Sequence, residues 1–172
     1  MNHGSPRLAA CAVLAIASVL PGGCGRPDQP PPKTLMFDGL PVSGRWEDAR
    51  KAGFTSCAEV TRSELRCRRS GVMFQGFGPF NAAVSLYGSN GHSGFDQLTV
   101  WHDQDQNALV GVVQALERRG WRHCFTGEGS RGDQGIYSHP NAPVRVSLDL
   151  SYAGKRRLRL LPLGNKREGL CQ

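Results

Sequence analysis

Two histidines are the side chains of this 172-residue chain best suited to acid–base chemistry. His102 follows one predicted strand and His123 lies in the next, with a predicted helix between them. Imidazole titrates near neutral pH, so two such rings beside cationic side chains suit attack on a phosphodiester. One hypothesis is therefore a small secreted hydrolase of anionic substrates that uses His102 and His123.

Other features of the sequence favour a protein that is not an enzyme. Asp103, the carboxylate next to His102, is better placed to cap the following helix than to orient an imidazole. No HExxH, GxSxG or P-loop motif occurs, and no spacing repeats a metal-ligand pattern. We therefore predict a binding or structural module with no cofactor and no metal ion, and keep the hydrolase as the alternative.

Basic side chains form two clusters along the chain. Of the 21 Lys and Arg residues, 17 are Arg, and they outnumber 14 Asp and Glu. The clusters are Arg62, Arg66, Arg68 and Arg69, and Lys155, Arg156, Arg157 and Arg159. Such clusters bind anionic lipid or polymer, although a solvated face is the simpler interpretation. Arg157 and Arg159 are candidates for binding a partner. Nucleic acid is not expected, because aromatic interleaving is weak and an exported protein rarely meets nucleic acid.

Three phenylalanines, Phe74, Phe77 and Phe80, occur at intervals of three in the glycine-rich segment Val72–Phe80. On an exposed loop they would present an apolar patch to a partner, and they are our second set of binding candidates. Folded back, they would instead cover the edge of a sheet, which is the interpretation that we favour.

The cysteines indicate disulfide bonds. Outside the first 24 residues the cysteines are Cys57, Cys67, Cys124 and Cys171. An even number suits an oxidising compartment, and four cysteines allow three connectivities. Cys57 and Cys67 flank a polar turn and can face each other across a hairpin, which leaves Cys124 for Cys171. A zinc site is disfavoured because the chain has no CxxC pair.

The beginning of the chain has the pattern of an export signal. After a basic start, Leu8–Leu20 is almost wholly apolar, too short to span a bilayer but suited to the core of a signal peptide. Pro21-Gly22-Gly23-Cys24 follows. This segment resembles the cleavage region of bacterial lipoproteins, in which small residues precede a cysteine that becomes the lipidated N-terminus. An ordinary secretory signal cut nearby is the alternative.

The resemblance implies a signal peptide over residues 1–23, a lipid on Cys24 and a proline-rich tether over 24–40, followed by a globular domain over 41–172. Gly25, rather than Asp, follows the cysteine. By the same resemblance the protein is expected at the outer membrane, on the periplasmic side of the envelope. Membrane association would depend on the lipid anchor, and the expected partner is an envelope protein or an anionic envelope component.

The element between the two histidines is the clearest helix in the sequence. Asp103 and Gln106 fit a capping box at its start. An apolar stripe follows at the spacing of one helix face: Leu109, Val112, Val113 and Leu116. Gly120 is placed for the left-handed residue that ends a helix. The pattern predicts a helix over 106–119.

Parts of the chain resemble one another. Ala49–Cys57 and Leu116–Cys124 share a charged turn, a glycine, an aromatic residue, two further residues and a cysteine, at an offset of 67 positions. The strings at 84–86 and 146–148, and at 98–100 and 158–160, also match. We interpret two copies of a helix followed by about four strands, over about 43–101 and 103–163. Chance matching of short apolar strings is the alternative.

These patterns predict the α+β class, with helices on one face of an antiparallel, disulfide-linked sheet and a polar, basic face left for a partner. A short first helix is expected over 44–52, capped by Ser43 and ended by Gly53. Val144–Tyr152 alternates apolar and polar residues, as a strand with one buried face does. The architecture resembles tandem helix-plus-four-strand proteins such as the β-lactamase inhibitor proteins, which implies a binding role by shape alone.

The lipoprotein hypothesis can be tested at one residue. We expect Cys24→Ser to abolish acyl labelling and to leave the precursor uncleaved or soluble, because serine cannot form the thioether. Metabolic labelling and membrane fractionation measure both effects. A variant that still fractionates with membranes at the normal mature size would show that the hypothesis is wrong.

Overall fold

The computed structural model describes residues 32–126, 133–150 and 156–164. The helices in these ranges are α1 (Trp46–Lys51) and α2 (Ala108–Arg118). The strands are β1 (Leu35–Phe37), β2 (Leu40–Ser43), β3 (Ser56–Thr61), β4 (Glu64–Phe74), β5 (Phe77–Tyr87), β6 (Leu98–Trp101), β7 (Arg122–Phe125), β8 (Gln134–Ser138), β9 (Val144–Asp149) and β10 (Leu158–Pro162). No helix in these ranges is long and apolar enough to cross a bilayer.

Eight of the strands form one antiparallel sheet in the order β3-β4-β5-β6-β10-β9-β8-β7. In chain order, α1 precedes β3 to β6 and α2 precedes β7 to β10. β6 and β10, the last strand of each set, pair with each other at the centre of the sheet. β1 and β2 form a separate two-stranded sheet, so the lead-in segment Thr34–Leu40 adds no strand to the large one. The predicted antiparallel sheet with few helices is confirmed.

One face of the large sheet is apolar and buried. Cys67, Val84, Leu98, Leu160 and Val146 are successive register partners across five neighbouring strands, and each is fully buried. Burying an aliphatic side chain of this size stabilises a fold by about 1.5–3 kcal/mol. The row therefore supplies much of the core.

Helix α2 buries the stripe that its sequence predicted, but it begins differently. Leu109, Val112 and Leu116 are fully buried in the same core as the sheet. The predicted capping box is wrong: Asn107 is the N-cap residue. Asp103 accepts hydrogen bonds from two side chains outside the helix, and Gln106 Oε1 accepts one from the backbone N–H of Arg156 at 2.5 Å. Both side chains of the predicted capping box are thus engaged by groups outside the helix.

Helix α1 is one turn and a half long, and its predicted cap is also wrong. The Ser43 hydroxyl donates to the Lys33 carbonyl at 2.7 Å instead of capping the helix. The carboxylate of Asp48 accepts hydrogen bonds from the Arg45 backbone N–H at 2.9 Å and the Thr34 hydroxyl at 2.8 Å. These two hydrogen bonds, the backbone one first, hold the pKa of Asp48 below its usual value.

The first predicted disulfide is confirmed. Cys57 and Cys67 are directly opposite each other in the β3–β4 ladder and are joined by a disulfide bond. Cys124 is also disulfide-bonded. Its predicted partner, Cys171, lies outside the described residues, and so does Cys24, so these two assignments stay predictions.

The segment Val72–Phe80, interpreted from sequence as a glycine-rich loop, is the tip of a long hairpin. β4 and β5 run eleven residues each and pair from Glu64 opposite Tyr87 to Phe74 opposite Phe77. The register shifts at two places near this tip, between Arg69 and Phe74. Such bulges accommodate extra residues and let the ladder continue through a sequence that looks irregular.

The contact between Gly94 and Gly44 generates a stability prediction. A Cβ on Gly94 would lie 2.3 Å from the Gly44 carbonyl oxygen, whereas one on Gly39 has no described atom within 4 Å. The two glycines have nearly the same φ, +73° and +74°. We expect Gly39→Ala to lower the free energy of unfolding by about 1–2 kcal/mol through backbone strain alone. Gly94→Ala should lower it by a further ~1–3 kcal/mol of overpacking.

Chemical denaturation of both variants measures this difference, and the Gly39 variant is the matched control. Equal losses of stability would contradict the close approach of the two backbones at Gly94.

Candidate functional site

An open cleft of about 780 Å³ lies on the face of the sheet opposite the core. The residues that line it lie on β3, β4, β5, β6 and β10 or next to the ends of β6 and β10. Arg68, Ala83, Thr99 and Arg159 form one row across this face, because each is the register partner of the next. The cleft thus crosses the β6–β10 pairing at the centre of the sheet.

The alternation of strand residues explains why this face is polar. Neighbouring residues in a strand point to opposite faces, so the buried Val84 is flanked by Ala83 and Ser85 on the cleft side. In the same way, Leu98 lies between Gln97 and Thr99, and both of these line the cleft. Small and polar side chains therefore form its floor.

The charge of the cleft is strongly positive. Among the fourteen described residues that line it, four are arginines and one, Asp103, is a carboxylate. Arg66 is already engaged: it binds Glu64 at 2.9 Å and donates through Nε to the Ser85 hydroxyl at 3.2 Å. The other three arginines are Arg68, Arg157 and Arg159.

These three arginines are unpaired in the described part of the chain. Their side chains make no hydrogen bond or ion pair with any described residue. Arg68 lies on β4, whereas Arg157 directly precedes β10 and Arg159 lies within it. Arg68 and Arg157 are exposed, and Arg159 is half-buried. The two sides of the cleft therefore present free guanidinium groups toward one floor.

One end of the cleft is held by Asp103. Its carboxylate accepts a hydrogen bond from the Asn81 side-chain amide at 2.6 Å and another from the Trp101 indole N–H at 3.1 Å. Asn81 and Trp101 are register partners, so the carboxylate clamps a cross-strand pair. Asp103 thereby fixes the aromatic ring at this end.

Tyr87 lies at the other end of the cleft and is 46 % exposed. Partial burial raises the pKa of its phenol above the usual value of 10, and the carboxylates of Glu64 and Asp96 add to the rise. Its hydroxyl is consequently a hydrogen-bond donor at neutral pH and well into the alkaline range.

The two histidines proposed for catalysis lie in separate surroundings. His102 Nδ1 accepts hydrogen bonds from the backbone N–H groups of Gln104 and Asp105, at 3.2 and 2.7 Å. His123 Nδ1 lies 3.1 Å from the Glu117 carboxylate. Within the described residues the two rings share no partner, and neither lines the cleft. Those same ranges contain no group of three His, Cys, Asp or Glu placed to hold a metal ion.

The three phenylalanines lie in or against the core. Phe74 and Phe80 are buried, and Phe77 is partly buried and packs against the core. The rings fold back onto the protein, but their segment is part of the β4–β5 hairpin and does not cover a sheet edge. Of the sequence candidates, the cleft contains Arg157 and Arg159 but none of the phenylalanines.

Sequence reasoning did not assign Arg68, Trp101 or Tyr87 to a site. A signal was present in the alternation of residues 81–87, in which Ala82, Val84 and Leu86 are buried. Placing these on the core face puts the odd-numbered residues on the other one. The strand order, which the sequence does not contain, then brings β4 and β10 to the two sides of those residues.

No protein-family model, no curated protein and no solved structure matches this chain. The cleft is therefore interpreted from its own residues.

The position of Tyr87 predicts that its phenol ionises at a higher pH than an ordinary tyrosine. We expect the ionisation that Tyr87→Phe removes to have a midpoint above pH 10, and Glu64→Gln to lower that midpoint by removing a repulsive carboxylate. Because the folded state holds the proton more tightly, the stability associated with Tyr87 is lost as pH rises through the raised pKa. Ultraviolet difference titration measures both midpoints. An unshifted midpoint in the Glu64 variant would contradict the arrangement.

Proposed function

We propose that this chain is an exported, lipid-anchored binding protein that holds an anionic partner in its arginine-lined cleft. The observation that carries the proposal is the set of three unpaired arginines, Arg68, Arg157 and Arg159, directed at one open floor. The proposed partner is a protein or another anionic component of the cell envelope.

Physical chemistry supports an anion in this cleft. Guanidinium groups present a planar fork of donors that matches carboxylate, sulfate and phosphate groups, often through two parallel hydrogen bonds. A single exposed ion pair contributes only about 0–1 kcal/mol, so one surface arginine alone would bind an anion weakly. Several arginines that converge on one concave site reinforce one another, because each adds to the same local potential.

Export has its own support. The Cys57–Cys67 disulfide suits an oxidising compartment. The segment Pro21–Cys24 resembles a lipoprotein cleavage region and Gly25–Lys33 is rich in proline, as a tether is; both fall almost wholly outside the described residues. We place the protein on the periplasmic side of the envelope, anchored at the outer membrane through Cys24.

We also propose that the two sets of elements are copies of one unit, with the helices on the buried face of the sheet. The strand order supports this, because each helix precedes four successive antiparallel strands and the sets meet at β6 and β10. A two-fold axis through the Thr99–Arg159 pair would relate Leu98 to Leu158, as the sequence match does, but it would relate Val84 to Leu148 rather than to Val146. The same axis would relate Cys67 to Gly135, so the second hairpin has no cysteine pair.

The hydrolase alternative gains no support from the cleft. None of the described residues that line it is a histidine, and within the described ranges His102 and His123 share no partner. We therefore propose binding without a second candidate function.

Binding to a panel of polyanions tests this function. We expect the mature protein to retain at least one of poly-glutamate, sulfated dextran and anionic phospholipid vesicles at low salt, and to release it as ionic strength rises. R157Q/R159Q should weaken that binding at least ~10-fold, since it removes two charge-assisted contacts.

The matched control is R62Q/R122Q, which removes the same charge from exposed residues outside the cleft. It should change the affinity less than ~2-fold. If no polyanion binds, or if both double variants lose binding equally, the cleft is not the site and the proposed function is wrong.

A further inference from the structure

We propose that the ligand of the cleft is an extended acidic stretch of polypeptide, lying along β5 and β6 with alternate carboxylates bound by Arg157 and Arg159. This inference rests on the proposed function and names the chemical class of the partner. It is drawn from the shape of the cleft, the spacing of its charges and the residue types at its two ends.

The cleft is a groove with a floor of two strands. β5 and β6 form the floor. Arg68 on β4 lies at one side, and Arg157 and Arg159, directly before and within β10, lie at the other. Neighbouring strands lie about 4.8 Å apart, so the backbones of β4 and β10 are separated by roughly 14 Å. Arginine side chains occupy part of that width. An α-helix, about 10–12 Å across with its side chains, would fill the remaining space and collide with them, whereas a single extended chain fits.

The centre of the floor is low. Ala83 and Thr99 lie between Arg68 and Arg159 in the cross-strand row, and both have small side chains. A large residue at either position would lift a ligand away from the guanidinium groups. The small floor therefore lets a backbone approach while its side chains reach the arginines at the sides.

The spacing of the free charges matches an extended polypeptide. Arg157 and Arg159 are two residues apart, and the Arg157 carbonyl accepts a ladder hydrogen bond from Asp149 at 2.9 Å, so extended pairing continues through this point. Residues i and i+2 of a strand are about 6.8 Å apart on one side. An acidic ligand strand running along the groove repeats its carboxylates at the same ~6.8 Å interval, so both arginines are engaged at once.

The β4 side of the groove offers a ligand only one free arginine. There, Arg68 is free, whereas Arg66 is already bound to Glu64. One carboxylate on this side suffices, and Asn81 and Ser85 add polar groups along the floor. The ligand is consequently expected to be acidic mainly on the side that faces β10.

The two ends of the groove favour a polypeptide over another polymer. Trp101 at one end and Tyr87 at the other are, with arginine, the residue types that contribute most to protein–protein binding energies. Asp103 holds Trp101 in place, so the ring loses little freedom on binding. Side chains next to the acidic positions of a peptide would pack on these rings.

Two synthetic peptides of equal composition test the inference. Both are twelve residues long with four glutamates among serines, placed at every second position in one and at every third in the other. The mature protein with its disulfides is titrated with each peptide by calorimetry and by indole fluorescence, with Trp101→Phe identifying the signal from the cleft. We expect the every-second peptide to bind at least ~10-fold more tightly, because only it presents two carboxylates to the arginine pair.

Substitutions inside and outside the cleft should affect peptide binding differently. Arg157→Gln and Arg159→Gln should each weaken the every-second peptide and reduce its advantage over the other peptide, whereas Arg62→Gln should leave both affinities within ~2-fold. An acidic oligosaccharide of the same charge completes the comparison. Equal affinity for the two peptides, or tighter binding of the oligosaccharide, overturns the inference. In either case arginine-dependent binding would leave the proposed function standing, whereas loss of all cleft-dependent binding would remove both.

Discussion

Three residue pairs between β6 and β10 join the two halves of the large sheet. The outer pairs, Leu98 with Leu160 and Val100 with Leu158, are fully buried, and the middle pair, Thr99 with Arg159, lies on the open face. The strands are only four and five residues long, so this pairing depends on burial more than on ladder length. Neighbouring residues of a strand point to opposite faces of the sheet. The apolar pairs that stabilise the β6–β10 pairing on the buried face therefore also determine that Arg159 faces the cleft.

The position of the arginine-lined cleft is thus a consequence of how the core is built. A shift of one residue in the β6–β10 register would turn Leu158 and Leu160 toward water and Arg157 and Arg159 into the core. Burying an unpaired arginine costs several kcal/mol, so such a shift is strongly disfavoured. The free energy that holds the sheet together therefore also positions the charges, and no further interaction is needed to orient them toward the floor.

The edges of the sheet are protected by simpler means. β3, at one edge, is mostly exposed, and its ladder to β4 is interrupted by a register shift after Glu59. The disulfide between Cys57 and Cys67 fastens this strand to its neighbour. At the other edge β7 carries Arg122 and the disulfide-bonded Cys124. Charges and bulges on edge strands discourage pairing with other chains.

The sequence by itself determined the features that depend on local spacing. The stripe of α2, the glycines after both helices, the alternation of β9 and the Cys57–Cys67 hairpin all follow from the periods of helix and strand, which are properties of the backbone. The tertiary structure decided the rest. It took Asp103 from the predicted cap to the Asn81 amide, folded Phe74 and Phe80 into the core, and brought Arg68 to the same cleft as Arg159. These three outcomes depend on strand order and on competition between local and distant partners. The spacing of nearby residues encodes neither the strand order nor the result of that competition.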